Sequence, residues 1–220
     1  MNKDIRIIFC LPGSNFSRKF VESWTSLITY CINNSINFAV SHAEDAVVYY
    51  VRSKCLGGDV LRGENQKPYD GKVKYTHTMW IDSDIVFKPE QFQKLLNHDK
   101  DIVAGVYKTS DNVTYPVVID WNENYFQKNG TFKFMTSDDL NKKKGLFEVS
   151  YTGFGFMLIK HGVFESIGYP WFRPLFHSIG NAKDFSSEDV SFCLLAKEKG
   201  FKIYVDPTVK VGHEKKVVLI

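Results

Sequence analysis

The stretch Met79-Trp80-Ile81-Asp82-Ser83-Asp84-Ile85-Val86-Phe87 constrains this chain most. An apolar run carries two carboxylates, one residue apart, to the point where a strand ends. Side chains alternate along a strand, so Asp82 and Asp84 lean to the same side. Two carboxylates at one spot repel unless something positive sits between them, and Mg²⁺ or Mn²⁺ takes such oxygen ligands together with substrate phosphates. A polar turn after a buried strand is the plainer reading of a bare D-x-D. The surrounding pattern decides between the two.

That pattern alternates strand-like runs with helical periodicity, as in an α/β domain. Ile5–Leu11 reads as a strand left through Pro12-Gly13-Ser14. Phe20, Trp24, Leu27, Ile28 and Cys31 share one face of a helix. Ile36–Val40 is a second strand, Asp45–Leu56 a second helix, and polar 57–75 a mobile excursion. His77–Ile81 is the strand that ends in the Asp pair. Pro89 opens a helix with Phe92, Leu95 and Leu96 inward. Ile102–Tyr107 and Tyr115–Asp120 follow as strands, with Asn129-Gly130 as a hairpin turn. Phe147–Ser150 and Phe156–Lys160 flank Thr152-Gly153-Phe154-Gly155. Ser187–Lys199 is a helix with Val190, Cys193 and Leu194 inward, and Lys202–Val205 and Val209–Val211 are the last strands.

At 220 residues with no Pro/Gly/Ser-rich linker, residues 1–220 are expected to form a single domain. The net charge of +3 argues neither for nor against a polyanionic partner. The basic runs Lys142-Lys143-Lys144 and Lys215-Lys216 read as solvated faces. Cys10, Cys31, Cys55 and Cys193 form no C-x-x-C pair, which points to reduced, buried thiols. Asn2-Lys3-Asp4 and a short apolar run make no signal-peptide core, and no stretch approaches the roughly 20 apolar residues of a membrane span. The expectation is a cytoplasmic protein without a transmembrane segment.

Four features stand in order: Asp82-Ser83-Asp84, Gly153-Phe154-Gly155, Ser187-Glu188-Asp189 and His213. Taken singly, each has a structural explanation. Carboxylates favour a helix N-terminus, glycines serve turns or close backbone approach, and a histidine near a C-terminus is commonly a surface residue.

Together, their order and spacing resemble the GT-A-fold glycosyltransferases, particularly the family 2-like ones. Arg52 resembles the arginine that family members carry on the helix before the D-x-D. The resemblance implies a three-layer α/β/α sandwich around a central mixed sheet. It implies metal-dependent transfer of one sugar from a nucleotide-sugar donor, UDP-sugar favoured, to a hydroxyl acceptor. Mn²⁺, with Mg²⁺ as substitute, is then held by Asp84 and His213, with Asp82 on the metal shell or the donor ribose. Pro12, Arg52, Asp82, Ser83, Asp84, Gly153 and Gly155 surround the donor. Asp189 is the general base of an inverting reaction, and Glu188 orients the site.

The match has departures. About thirty residues separate Arg52 from Asp82, the opening strand and turn differ from the usual family 2 start, and no Q-x-x-R-W motif follows the x-E-D. The acceptor is left open among small molecules, glycans, proteins and modified nucleic-acid bases. Tyr115, Trp121, Tyr125, Tyr169, Trp171 and Phe172 are candidate stacking platforms or core residues. Two other classes stand beside this one. Asp82-Ser83-Asp84-Ile85-Val86 fits the D-x-D-x-[T/V] of haloacid-dehalogenase-like phosphatases, with Asp82 as nucleophile. A non-catalytic nucleotide-sugar-binding module is the third.

Overall fold

The computed structural model describes residues 6–215. Asn2-Lys3-Asp4, Ile5 and Lys216 lie outside the described residues. β1 (Arg6–Pro12), α1 (Arg18–Asn33), β2 (Asn37–Ala43), α2 (Val48–Cys55), β3 (His77–Ile81), β4 (Ile85–Val86), α3 (Pro89–Asn97) and β5 (Ile102–Val106) come first. A middle stretch of short elements follows: β6 (Thr114–Tyr115), β7 (Val117–Val118), α4 (Glu123–Asn129), β8 (Met135–Thr136), α5 (Ser137–Asn141), β9 (Phe147–Val149) and β10 (Tyr151–Thr152). Then come β11 (Phe156–Lys160), α6 (Val163–Ile167) and the hairpin β12 (Phe176–Ile179) and β13 (Ala182–Phe185). α7 (Glu188–Glu198), β14 (Ile203–Lys210) and β15 (Gly212–His213) complete the order.

Seven strands make the central sheet, in the order β2-β1-β3-β11-β5-β14-β9. β1 is parallel to β2 and β3, and β14 is parallel to β5. β11 runs antiparallel between β3 and β5, and β9 antiparallel along β14. The sheet is therefore mixed, with helices on both faces. Period-2 alternation sends Ile7, Phe9, Met79 and Ile81 into one core with Phe20 and Leu27 of α1 and Phe92 and Leu95 of α3. Ile8, Cys10 and Trp80 point into the other core, with Cys55 of α2, Phe164 of α6 and Phe192 of α7. A strand covered on both faces is buried along its length, as β3 is: Met79, Trp80 and Ile81 are apolar, while the buried polar Thr78 and His77 hydrogen-bond to the Trp80 indole N–H and the Thr76 hydroxyl. The architecture is the α/β sandwich expected of a GT-A-like chain.

Several local expectations are corrected. Asn129-Gly130 is no hairpin turn: α4 runs to Asn129, and Gly130 closes it in the left-handed conformation (φ 69°), donating its N–H to Phe126. The segment 57–75 is polar but anchored. Pro68, Gln66 and Tyr75 are buried, the Tyr69 hydroxyl meets Cys10 Sγ at 3.4 Å, and the Gln66 amide ties the carbonyls of Asp59 and Gly63. Its exposed tip is Val60-Leu61. The strand expected over Tyr115–Asp120 is split into β6 and β7, which pair with different partners. The two last strands are one, β14, with a register irregularity between Val205 and Lys210. α7 buries Ser191, Phe192, Cys193, Leu195 and Ala196, a wider face than expected because it packs on both β10 and α6, while Val190 and Leu194 are only half-buried. All four cysteines are free and buried, and no helix among the described residues is long and apolar enough to cross a membrane.

Candidate functional site

Three inputs converge where β3 ends. β3 carries Asp82-Ser83-Asp84 outward, and the Asp82 N–H donates to the Gly155 carbonyl at 3.0 Å, fastening it to the glycine loop. β4 pairs antiparallel with β15, which sets His213 opposite Ile85. α7 begins at Glu188-Asp189 and packs against β10.

Arg52 of α2 organises the inner side. Its guanidinium grips Asp82 with two prongs, Nη1 to Oδ1 at 2.9 Å and Nη2 to Oδ2 at 3.1 Å, while Nε donates to Glu188 at 3.1 Å. Its centre lies 4.7 Å over the Phe154 ring, and Arg52 is 3% exposed. Such a buried cation is tolerable only when paired and hydrogen-bonded. Burial by itself would lower the Arg52 pKa, but the carboxylates of Asp82 and then Glu188 more than reverse this. The Glu188 carboxyl is held above the usual range by its burial, with Arg52 opposing and Asp189 adding to the rise.

The outer side is built around Asp84. Its Oδ2 lies 3.1 Å from His213 Nε2 and 2.8 Å from the Lys215 ammonium. His213 Nδ1 donates to the Lys108 carbonyl at 2.6 Å, which fixes the ring with Nε2 facing Asp84. Burial pushes the Asp84 pKa up, but the hydrogen bonds from His213 and Lys215 prevail and bring it down to about 2. Burial likewise works against protonation of His213, and Asp84 and the Lys108 carbonyl overcome it, raising its pKa. The Glu214 N–H donates to the Asp84 carbonyl at 2.8 Å, and its carboxylate accepts from the Ser17 hydroxyl, so residues 214–215 lie along the site. A cleft of about 600 Å³ opens here, lined by Asn15, Phe16, Ser17, Ser83, Asp84 and Lys215.

Asp82, Asp84 and His213 do not form one ligand set. Asp82 is committed to Arg52, and among the described residues no group of three or more His, Cys, Asp or Glu side chains is disposed to hold a metal. What remains is one carboxylate oxygen and one imidazole nitrogen on a common spot. That donor pair fits Mn²⁺ or Mg²⁺, which keep several waters and take substrate phosphates as further ligands. Lys215 already places a positive charge against the same carboxylate oxygen.

Other expected residues take the following places. Pro12 ends β1, and Gly13 after it (φ 122°) approaches Ser83 so closely that a Cβ would sit 2.8 Å from the Ser83 hydroxyl. Gly153 and Gly155 are close to Tyr107, where added Cβ atoms would fall 2.2 Å and 2.9 Å from its ring and hydroxyl atoms. The close approach these glycines permit is thus to Tyr107, whose hydroxyl accepts from the Gly155 N–H. Tyr107 also packs edge-on against His213 at 5.0 Å, bridging loop and histidine. Asp189 accepts from the Tyr151 hydroxyl at 2.9 Å and from Ser187 and the Val190 N–H. Tyr115, Trp171 and Phe172 are core residues, whereas Trp121 is half-buried at the surface. Tyr107, Tyr151 and Lys215 are contributions that the motifs did not mark. Tyr107 ends an apolar run and Lys215 sits in a charged pair, positions that many surface tyrosines and lysines share.

No protein-family model matches the sequence, and no curated protein matches it. Solved structures do match. The crystal structure of A197 from STIV aligns with a TM-score of 0.50 at 18% identity, covering 99% of this chain and 97% of that one. GalNAc-T7, a glycosyltransferase solved with UDP, GalNAc and Mn²⁺, aligns with a TM-score of 0.55 at 11% identity over 97% of this chain. This chain spans only 43% of the length of GalNAc-T7. At such identities the likeness is one of fold, and the fold is that of the GT-A glycosyltransferases.

Proposed function

We propose that the protein is a glycosyltransferase that moves one sugar from a nucleotide-sugar, a UDP-sugar by preference, to a hydroxyl acceptor. The observation that carries this reading is Arg52, which draws Asp82 of the D-x-D and Glu188 of the x-E-D onto one guanidinium. Two motifs more than a hundred residues apart in sequence thereby share one wall, with Asp84 and Asp189 beside them. The GT-A-like fold supports the same reading.

In this reading the cleft beside Ser83 and Asp84 takes the donor diphosphate, and Asp84 with His213 holds the divalent ion. When bound, that ion offsets the negative charge that builds on the departing diphosphate. Arg52 fixes Asp82 and Glu188 and keeps their charges compensated. Asp189 takes the proton from the acceptor hydroxyl as its oxygen attacks the anomeric carbon, and the nucleoside diphosphate leaves from the opposite face with inversion. Tyr151 holds the carboxylate in place for that transfer. The phosphatase alternative is less well supported, because a nucleophilic Asp82 would have to work with both oxygens gripped by Arg52.

The test is melting temperature with Mn²⁺ and UDP. A ligand that binds only the folded state stabilises it by about 2.7 kcal/mol at a hundredfold excess over Kd. The parent should melt several degrees higher with UDP plus Mn²⁺ than with either alone, and Asp84→Ala and His213→Ala should each lose that gain. Parental shifts in both variants would remove the metal assignment.

A further inference from the structure

Beside α7 lies a second, smaller cavity of about 170 Å³ that the donor chemistry does not use. It is lined by Trp121, Phe126 and Phe132, by His177, Asp184 and other residues of the β12–β13 hairpin, and by Ser187 and Val190 at the start of α7. The rings are piled at shallow angles: Trp121 and Phe132 have centroids 4.0 Å apart at 32°, and Phe126 and Phe132 4.8 Å apart at 34°. All three are half-buried and line the cavity. The polar groups around them are short: the Asp184 carboxylate, the Ser186 and Ser187 hydroxyls and the His177 imidazole. Ser187 donates to Asp189, and Val190 follows it, so the lining adjoins the proposed base.

Resting on the transferase reading, we infer that this cavity is the acceptor subsite and that it takes one neutral pyranose ring. An aromatic face carries partial negative charge, and one face of a pyranose presents polarised C–H groups to it. The opposite edge carries hydroxyls that can donate to the Asp184 carboxylate and to Ser187 Oγ, whose own proton goes to Asp189. The volume is below the 300–1,000 Å³ of drug-sized pockets, enough for one ring. Asp184 is the only formally charged residue among those lining it, and no lysine or arginine joins it. Phosphate-bearing acceptors, nucleic acid included, would therefore meet repulsion without compensation.

The experiment is saturation-transfer NMR on the full chain with methyl glucosides, galactosides and mannosides and N-acetylglucosamine as probes, with and without UDP and Mn²⁺. The expected result is transfer to the ring protons of at least one probe, with affinity lowered tenfold or more in Trp121→Ala and in Asp184→Asn and partly restored in Trp121→Phe. Asp184→Asn keeps its size on an exposed strand, so it reports even if Trp121→Ala fails to fold. A parent that binds UDP and Mn²⁺ but accepts no saturation from any glycoside overturns the subsite. So does parental affinity in both variants, or displacement of the glycosides by a single-stranded oligonucleotide. Glycoside binding that depends on Trp121 in a protein indifferent to UDP and Mn²⁺ would keep the saccharide subsite and remove the donor reading.

Discussion

Each of the two acidic motifs splits into an inward and an outward residue. Asp82 and Glu188 turn to Arg52 and are held by it. Asp84 and Asp189 face the other way, Asp84 toward His213 and Lys215 and Asp189 toward Tyr151. The difference is one of labour. A carboxylate saturated by a buried guanidinium holds structure together, whereas Asp84 borders the cleft and Asp189 is held by hydroxyl and N–H donors with no cation against it. Substitutions on the inward side should move stability first, and those on the outward side should move chemistry.

The largest effect is expected at Asp189. Asp189→Asn keeps the size of the side chain and an oxygen for the Val190 N–H and the Ser187 hydroxyl, while its NH₂ can donate to the Tyr151 hydroxyl oxygen, so its melting temperature should stay near parental. Single-turnover transfer should slow by roughly 10²–10⁴-fold with donor binding unchanged. Glu188→Ala is the inward control, with a lowered melting temperature. Near-parental transfer by Asp189→Asn would take the base away from that residue and collapse the division.

Next comes Arg52. Arg52→Met leaves two acidic groups without their cation, a change that costs about 3–5 kcal/mol when the charges are buried. Asp82 is 28% exposed at its side chain, which favours the lower end. At about 2–4 °C per kcal/mol for a chain of this size, melting should fall by roughly 10 °C. Adding Asp82→Asn and Glu188→Gln should recover more than half, because no uncompensated charge remains. An Arg52→Met protein that melts like the parent would mean that the inward side holds nothing together.

The sequence made much of this legible, and its silence elsewhere has physical causes. β3 and β11 were readable from the apolar runs 79–81 and 156–159 that strands covered on both faces carry, and α1 because its one buried face repeats at the helical period. The short elements between residues 114 and 141 and the β12–β13 hairpin were not, since two-residue bridges and an exposed hairpin leave little periodicity to detect. At the site, the acidic pairs stood out but their division did not. Strand spacing predicted Asp82 and Asp84 on one side, but β3 ends at Ile81 and the turn that follows sends Asp82 to Arg52 of α2 and Asp84 to His213 and Lys215. Gly153 and Gly155 were visible as close-approach residues, while the partner they admit, Tyr107, sits nearly fifty residues upstream.

Acid stability offers a separate reading of the same division, through His77 at the start of β3. Burial, aided by the charge of Lys160, lowers the His77 pKa from 6.5 to about 4. Its Nδ1 meets the Thr76 hydroxyl at 3.0 Å, and the Asp99 carboxylate opposes the lowering. The unfolded chain therefore binds a proton that the folded one refuses between those values. Stability is complete above about pH 6.5 and is lost as pH falls to about 4, by about 3 kcal/mol in all. Asp84, with its pKa lowered to about 2, acts in a lower window, from its ordinary value near 3.8 downward. Denaturant midpoints measured across pH 7 to 3 should slope in the upper window, and His77→Gln should flatten that slope. A slope confined below pH 4 would place the acid-sensitive group in the cleft.

Lys215 should give the smallest change and the sharpest view of the outward side. Lys215 and Asp84 are 43% and 39% exposed at their side chains, and exposed ion pairs are worth about 0–1 kcal/mol and weaken with salt. Lys215→Gln should therefore shift melting by no more than about 2 °C. Its ammonium, however, lies against the Asp84 oxygen that a divalent ion would use, so the two cations compete. Removing the ammonium should tighten binding of Mn²⁺ alone, measured by calorimetry, by up to about fivefold, the same energy expressed as a ratio. The gain should shrink as ionic strength rises, since added salt already weakens the lysine's hold. A Lys215→Gln protein that binds Mn²⁺ more weakly than the parent would show that Lys215 supports the ion instead of opposing it. In that case the outward carboxylate, like the inward one, works with a resident cation, and the contrast between the two would be one of exposure alone.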